Sequence, residues 1–436
     1  MFFSYRLIPL RWVVGCLLLL PFGSAGQPAA DTLRVDLPRL EEQFLSRNYQ
    51  LLAQRFQISA AEAEVIQAGL RPNPNLEVST NLYNPNTGKV LPLSTPSAAD
   101  INNDVYNSGY FSVQLQQLIQ LAGKRSKLVA LAESNRALAS IAFRDVLRTL
   151  RYQLHTSYAN LHYDLQAIRL LREEEGRQQR LIESSRIALQ TGGIARYELT
   201  RLEVDLRDLR ANIASYRSQI AEEQATLRVL LRQTSTQFIV PTQVPAALPA
   251  LPAVALTIDS ALANRPDAAL TREQINNAER RLLLERANRT PDLTAGLVYE
   301  RYGNTYVNFT AIKLGMDLPI FHRNQGGIKV AQLAVDNARA GLENQESVVR
   351  NEVIEAYEKL TLYYEQNNAL PPDYLSQLQN ISVEATLAYN NRVIGLLDYL
   401  DKIRTYQSGL LNYIALQNNI FQAQQQLNFT TNSRFF

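Results

Sequence analysis

The chain is built twice, and a duplication of this length constrains the fold more than any other feature. Gln190, Thr191, Gly192, Gly193, Ile194 and Ala195 interrupt two long amphipathic patterns, and Glu198 follows. Two hundred residues on, Asn390, Asn391, Arg392, Val393, Ile394 and Gly395 interrupt two more, and Asp398 and Asp401 follow. Each interruption reads as the tip of a helix–turn–helix, because small and polar residues break a period of about 3.6 that resumes on the far side. The apolar stripe of the first return helix, Leu206, Leu209, Ile213, Tyr216, Ile220 and Leu227, recurs 200 residues later as Tyr406, Gly409, Tyr413, Leu416, Ile420 and Leu427. The repeat unit is therefore far longer than that of a solenoid.

Each half follows the same order. A helical pattern over 37–68 ends at Arg71, Pro72, Asn73 and Pro74. The period then falls to two: Leu76, Val78, Thr80 and Leu82 alternate with polar residues, as do Phe111, Val113 and Leu115, so a polar link over 84–108 joins two strands. A proline-free helical pattern over 124–190 carries the stripe Val146, Leu150, Leu154, Tyr158, Leu161, Leu165 and Ile168. At about 1.5 Å per residue it approaches 100 Å. The return helix has a mean apolar step near the coiled-coil value of about 3.5, and its charges Arg201, Glu203, Asp205, Arg207, Asp208 and Arg210 read as a solvated face. After a Pro/Ala/Leu linker over 241–252, a helical pattern over 258–287 leads to alternating Leu293, Ala295, Leu297 and Tyr299. Gly303–Asn304 signals a tight turn, and Val307, Phe309 and Ala311 return. A second long helix starts near Gln325. The expected divisions are a signal peptide over 1–26, a first repeat over 27–245 and a second over 246–436.

The signal peptide rests on Arg6 and Arg11, the apolar run from Trp12 to Leu20, and the small residues Gly23, Ser24, Ala25 and Gly26. Val13, Val14, Gly15 and Cys16 also fit a lipoprotein cleavage box, although Leu17 to Leu20 continue the apolar segment past the cysteine. Cys16 is the only cysteine, so cleavage at Ala25 or Gly26 leaves neither disulfide nor thiol chemistry. No later run of about eighteen apolar residues exists, and no helical membrane span is expected. A net charge of +3 without a basic, aromatic-interleaved run argues against nucleic acid. His155, His162 and His322 are the only histidines and suit packing or surface roles better than metal ligation. No nucleophile, base and orienter come together, so neither an enzyme nor a cofactor is expected.

The strands are each about ten residues long, enough to cross a bilayer when tilted. Four strands cannot close a barrel, and an open edge in lipid leaves backbone groups unbonded. If the hairpins lie in a membrane, several chains must share one barrel. If they do not, they cap a soluble helical bundle.

These features together resemble the TolC-like outer-membrane efflux proteins, the outer-membrane factors of tripartite efflux systems. The resemblance is carried by the two repeats, by Gly123, Lys124 and Arg125 at the start of the first long helix, and by Leu318, Pro319, Ile320, Phe321, His322, Arg323, Asn324, Gln325, Gly326, Gly327 and Ile328 at the start of the second. It implies a mixed α/β membrane protein, mostly α. A homotrimer would share a transmembrane β-barrel of about twelve strands, continued by a coiled-coil tunnel through the periplasm of a Gram-negative bacterium. It also implies passive conduction of substrates delivered by an inner-membrane pump, of RND or ABC type, through a periplasmic adaptor. The competing reading is a periplasmic coiled-coil scaffold that conducts nothing.

The family's entrance aspartates, spaced D-x-x-D, match Asp398 and Asp401; its gate tyrosine matches Tyr389, and its acidic partner matches Glu198. Ile394 stands where the family has a gate arginine, and Arg392 lies two residues away. Gly192, Gly193, Ile194 and Ala195 on one tip, with Arg392, Val393, Ile394 and Gly395 on the other, would form the adaptor-docking surface. Read from the residues alone, the acids suit a helix N-terminus, at about 0.3–1 kcal/mol each, and the small residues suit a turn.

Overall fold

The computed structural model describes residues 32–85, 88–91, 109–244, 248–302 and 306–436. The signal segment, most of the polar link and the Gly303–Asn304 turn lie outside them. The first half contains β1 (Thr32–Val35), α1 (Leu37–Arg47), α2 (Tyr49–Gly69), β2 (Asn75–Thr80), the short β3 (Tyr83–Asn84) and β4 (Lys89–Val90), β5 (Tyr110–Ile119), α3 (Lys124–Gln190) and α4 (Arg196–Leu231). β6 (Phe238–Pro241) closes the first half, and the second contains α5 (Val254–Asn264), α6 (Pro266–Ala287), β7 (Leu293–Tyr302), β8 (Tyr306–Met316), α7 (Gln325–Asn368), α8 (Tyr374–Asn390) and α9 (Leu396–Thr431).

Three helical patterns that read as continuous are broken. The pattern over 37–68 divides at Asn48, whose Oδ1 accepts from the backbone N–H groups of Gln50 and Leu51 and caps α2. Its Nδ2 donates to the carbonyl of Leu230, which fixes the break against α4. The corresponding break in the second half falls at Arg265, before Pro266; its guanidinium is buried and held by Asp267 and Glu352. The third break divides the second long helix. Pro371 and Pro372 cannot donate backbone hydrogen bonds, and the arm that corresponds to the 67-residue α3 is split into α7, of 44 residues, and α8, of 17.

The expected strands pair into one antiparallel sheet in the order β2-β5-β7-β8. Register puts Leu76, Leu115, Leu297 and Ile312 in one row and Val78, Val113, Tyr299 and Thr310 in the next. Residues paired directly across antiparallel strands share a face. One face therefore presents Leu76, Leu115, Leu297, Ile312, Leu314 and Met316, all exposed. The other presents Glu77, Gln114, Gln116, Glu300 and Lys313, with Val298, Phe309 and Ala311 among them. Gly296 permits the close approach of β5 and β7, because a Cβ there would stand 2.9 Å from the carbonyl oxygen of Leu115. The Lys124 ammonium bonds Asp292 Oδ1 at 2.8 Å and ties the start of α3 to the start of β7.

Three apolar clusters hold the helices. The largest packs α3 and α4 against α1 and the parallel pair β1–β6. At its centre the fully buried Tyr158 donates to the carbonyls of Val35 and Gln243. A second joins α5, α6, α7 and α9. The third lies at the tips: Ile182, Leu202 and Leu206 meet Ala385, Leu396, Tyr399, Leu400 and Ile403. Among the described residues no helix is long and apolar enough to cross a membrane.

Candidate functional site

Both tips use the same backbone device. After α3, the N–H of Gly193 bonds the carbonyl of Ala188 at 2.7 Å, and that of Gly192 bonds Leu189 at 3.1 Å. After α8, Val393 bonds Ala388 at 2.8 Å and Arg392 bonds Tyr389 at 3.0 Å. This is the Schellman arrangement, which satisfies the last helix carbonyls by placing one residue in the left-handed region. That residue is Gly192 (φ 73°) on the first tip and Arg392 (φ 57°) on the second. The first is conformationally suited to the turn; the second is held there against an ordinary side-chain preference.

Tyr389 and Ile394 are partly buried against the tip cluster. The Tyr389 ring stacks on Tyr399, with centroids 4.8 Å apart and planes 26° from parallel. Burial pushes the Tyr389 phenol upward, and the Glu198 carboxylate of the other tip adds to it. The two predicted gate residues, 191 positions apart in sequence, are thus close enough to interact. Glu198 accepts a 3.3 Å hydrogen bond from the Tyr197 hydroxyl.

Asp398 and Asp401 stand one turn apart on α9, both exposed, and neither enters a side-chain hydrogen bond or ion pair among the described residues. Arg392 is also exposed and without an ion pair among the described residues. The ionic contact between the two hairpins is instead Arg404 with Asp205, on α9 and α4. Asp205 belongs to the charge run read as a solvated face, yet it is only 9% exposed. Its partner lies 199 residues away, so no local pattern could disclose the pair. Within the first hairpin, Arg186 bonds Glu203 at 2.8 Å and Arg210 bonds Glu175 at 2.7 Å.

Beyond Ile194, Val393 and Ile394, sequence reasoning missed most of the apolar tip surface. Ile187 and Leu387 are equivalent under the repeat, as are Tyr197 and Leu397, and all four are more than half exposed. Val383 extends the patch on the second tip toward Val393, which the sequence had already placed there. The signal was present in the 200-residue offset, hidden because each position fits an ordinary amphipathic helix. The glycine and alanine positions 192, 193, 195 and 395 shape the turns between these side chains.

The histidines lie elsewhere. His155 Nδ1 pairs with Gln425 Oε1 at 2.8 Å, and His162 Nε2 with the Gln166 amide at 2.7 Å. Among the described residues no three His, Cys, Asp or Glu side chains are grouped to hold a metal ion.

Comparison with known proteins places this geometry in context. The profile of the outer membrane efflux proteins matches residues 40–231 and 257–433. The chain is 25% identical over 377 residues to the cobalt-zinc-cadmium resistance protein CzcC of Cupriavidus metallidurans, covering 86% of this chain and 85% of that one. It is 25% identical over 334 residues to the nickel and cobalt resistance protein CnrC of the same organism, covering 77% and 74%. Its fold is similar to that of crystalline CusC, with a TM-score of 0.72 at 19% identity over 94% of this chain and 95% of the other.

Proposed function

The chain belongs to the outer membrane efflux protein family, and on that premise we propose that it is the outer-membrane conduit of a tripartite efflux system, passively conducting substrates handed over by an inner-membrane pump through a periplasmic adaptor. The observation that carries the reading is the four-stranded sheet. Its one apolar face is exposed along its length, with Ile312 at 75% and Leu314 at 68%, and among the described residues its edges β2 and β8 have no further strand. Apolar side chains of this kind suit lipid, whereas the opposite face of Glu77, Gln114, Gln116, Glu300 and Lys313 suits a water-filled lumen. Edges left open in hydrocarbon forfeit several kcal/mol per unpaired group. Three copies joined edge to edge, β8 of one to β2 of the next, remove every edge and close a barrel of about twelve strands. The two repeats, 27–245 and 246–436, would each contribute one strand hairpin and one helical arm to every third of the wall.

At the inner end of the tunnel, Asp398 and Asp401 of three copies would form stacked acidic rings, which favour cations over anions. Tyr389 and Glu198, with Arg392 beside them, would set the aperture. Residues 192–195 and 393–395, with Ile187, Leu387, Tyr197 and Leu397 around them, would receive the adaptor. Metal cations are the cargo we favour, because the curated relatives are named for cobalt, zinc, cadmium and nickel resistance. A wide aqueous tunnel need not ligate what passes through it.

The test is single-channel recording from detergent-purified protein in planar bilayers, with Asp398→Asn/Asp401→Asn beside the wild type. Cation-selective currents whose selectivity falls in the variant support both the conduit and the acidic entrance. Selectivity unchanged by the variant returns the aspartates to helix capping. Protein that carbonate strips from membranes, and that gives no current even after Tyr389→Ala and Glu198→Ala, points to the periplasmic scaffold instead.

A further inference from the structure

Near the sheet the helices form one layer, in which α2 packs on α3, α3 on α6 and α6 on α7. The layer therefore ends in α2 on one side and α7 on the other, as the sheet beside it ends in β2 and β8. Both outer helices carry an uncharged stripe that stays exposed among the described residues. On α2 and its C-cap, Leu52, Phe56, Ser59, Ala63, Ile66 and Leu70 follow at steps of four and three, with Phe56 65% exposed. On α7, Val330, Leu333, Asn337, Ala340 and Asn344 do the same, with Leu333 53% exposed. Spacing of this kind is the mark of a helix that packs on another.

The duplication identifies the missing neighbour. The breaks at Asn48 and Arg265 are equivalent, since Asn48 donates to the carbonyl of Leu230 and Arg265 to that of Thr430, 200 residues on. Counted from these breaks, Phe56, Ala60 and Ala63 of α2 stand where α6 has Glu273, Asn277 and Arg280. The buried stripe Leu150, Leu154, Ser157 and Leu161 of α3 recurs in α7 as Val349, Val353, Ala356 and Leu360. In the same register, Lys329, Leu333 and Ala334 of α7 stand where α3 has Ala130, Ser134 and Asn135.

Inside the chain these α3 and α6 residues are in contact. Ser134 donates to Glu273 Oε1 at 2.6 Å, Asn277 Nδ2 to Asn135 Oδ1 at 2.7 Å, and Arg280 to the carbonyl of Ala130 at 3.2 Å. The exposed faces of α7 and α2 are thus the counterparts of two faces that fit each other. Within one chain they do not meet, because α3 and α6 stand between them. The neighbour of each is supplied by a second copy. Residue chemistry agrees, since Leu333 and Phe56 replace the polar pair Ser134 and Glu273, and Ala334 and Ala60 replace Asn135 and Asn277. A junction within one chain is held by the chain itself, whereas a junction between chains draws on apolar burial.

We propose that α7 of one copy seats α2 of the next as α3 seats α6 within the chain, with Phe56 packed on Leu333 and Ala60 on Ala334. The seam runs on into the β8–β2 edge, so the copies are joined in the helical wall as well as in the sheet. Closure at three copies rests on the conduit reading; the contact itself does not require a membrane.

The experiment uses the purified full-length protein in detergent. Cysteine is placed at Ala60 and Ala334, singly and together, and the protein is treated with a short bismaleimide. Ala60→Cys/Ala334→Cys should give a covalent ladder on denaturing gels that ends at three chains, and neither single variant should, which also controls for Cys16. The internal counterpart, Asn135→Cys/Asn277→Cys, should react without a ladder. In a second series, Phe56→Glu and Leu333→Lys should each lower the temperature at which the oligomer falls to monomers, and Phe56→Glu/Leu333→Lys together should recover most of the loss. Reaction of the Ala60→Cys/Ala334→Cys protein without a ladder overturns the proposal, as do charge variants whose losses add instead of cancelling. A ladder in protein that carbonate strips from membranes supports the seam while the conduit reading fails. No ladder in protein that carries current overturns the seam and leaves the conduit standing. If a charged variant does not fold, the cysteine ladder decides.

Discussion

Serine placed at Gly192 and at Gly395 should change the stability of the two tips in opposite directions. Neither position crowds a new side chain, since a Cβ at either meets nothing within 4 Å. What differs is backbone conformation. Gly192 sits in the left-handed region at φ 73°, where an L-residue costs about 1–2 kcal/mol. The stiffer unfolded chain returns about 0.4–1 kcal/mol of this, so Gly192→Ser should weaken the first tip by about 1 kcal/mol. Gly395 caps α9 from an extended conformation, φ −77° and ψ 167°, which any residue adopts. There the unfolded-state gain is retained, and the serine hydroxyl adds a capping hydrogen bond worth a few tenths of a kcal/mol over glycine. Gly395→Ser should therefore strengthen the second tip by about 0.5–1 kcal/mol. Native-state hydrogen exchange reads both effects locally. The Gly193 amide, bonded to Ala188, should exchange about fivefold faster in Gly192→Ser, while the Val393 amide slows in Gly395→Ser. Shifts of the same sign at both tips would refute the backbone argument and show that the surface of the turns, covered by a partner, decides these positions.

Other perturbations follow from the ionic contacts. Glu41 is held down at about 2 by the His155 imidazole beside it, against burial, with Arg151 and Arg434 assisting. A depressed carboxyl contributes stability that is complete above its ordinary value near 4.5 and is lost as pH falls toward 2. Glu41→Gln should thus lower the melting temperature at pH 7, by roughly 2 kcal/mol of stability, and converge with the wild type in strong acid. Asp164 has the opposite sign: burial first, then Glu223, raises it to about 6. The folded chain holds this proton longer than the unfolded one, so stability falls as pH rises from about 4 to 6; Asp164→Asn should abolish that decline in melting curves and melt higher at pH 7. For the inter-hairpin pair, Arg404→Ala strands the buried Asp205 carboxylate, whereas Asp205→Asn strands an arginine that water can reach. The first should cost about 1–3 kcal/mol and the second less, as denaturation of a double-mutant cycle would register.

The parts of this fold legible in the sequence are those whose cause is local. The tips announce themselves in Gly192, Gly193 and Gly395 because a helix reversal needs small residues within one turn, and the strands announce themselves because alternation has a period of two. The register of β5 on β7 was not legible, although Gly296 marks the point of closest approach. It joins segments more than 170 residues apart. The same distance hides Asp205 with Arg404 and the electrostatic influence of Glu198 on Tyr389, which periodicity could not disclose.

The breaks in the helices teach a different lesson. Asn48 and Arg265 interrupt patterns whose periodicity continues across them, so an apolar stripe alone overstates helix length. Pro266 and the Pro371–Pro372 pair stood in plain view, and proline at a first helical position is a start signal as well as a stop. The repeat spacing passes through the second of these unchanged. An interruption that preserves spacing keeps the chain's reach while removing backbone hydrogen bonds at the break. The first hairpin therefore hangs from one unbroken 67-residue helix, while the second, with Tyr389, Asp398 and Asp401, is joined to α7 only through the turn after Asn368. Of the two hairpins, the one bearing most of the candidate gate residues is the one with an interrupted helix, although its other helix, α9, runs unbroken from Leu396 to Thr431.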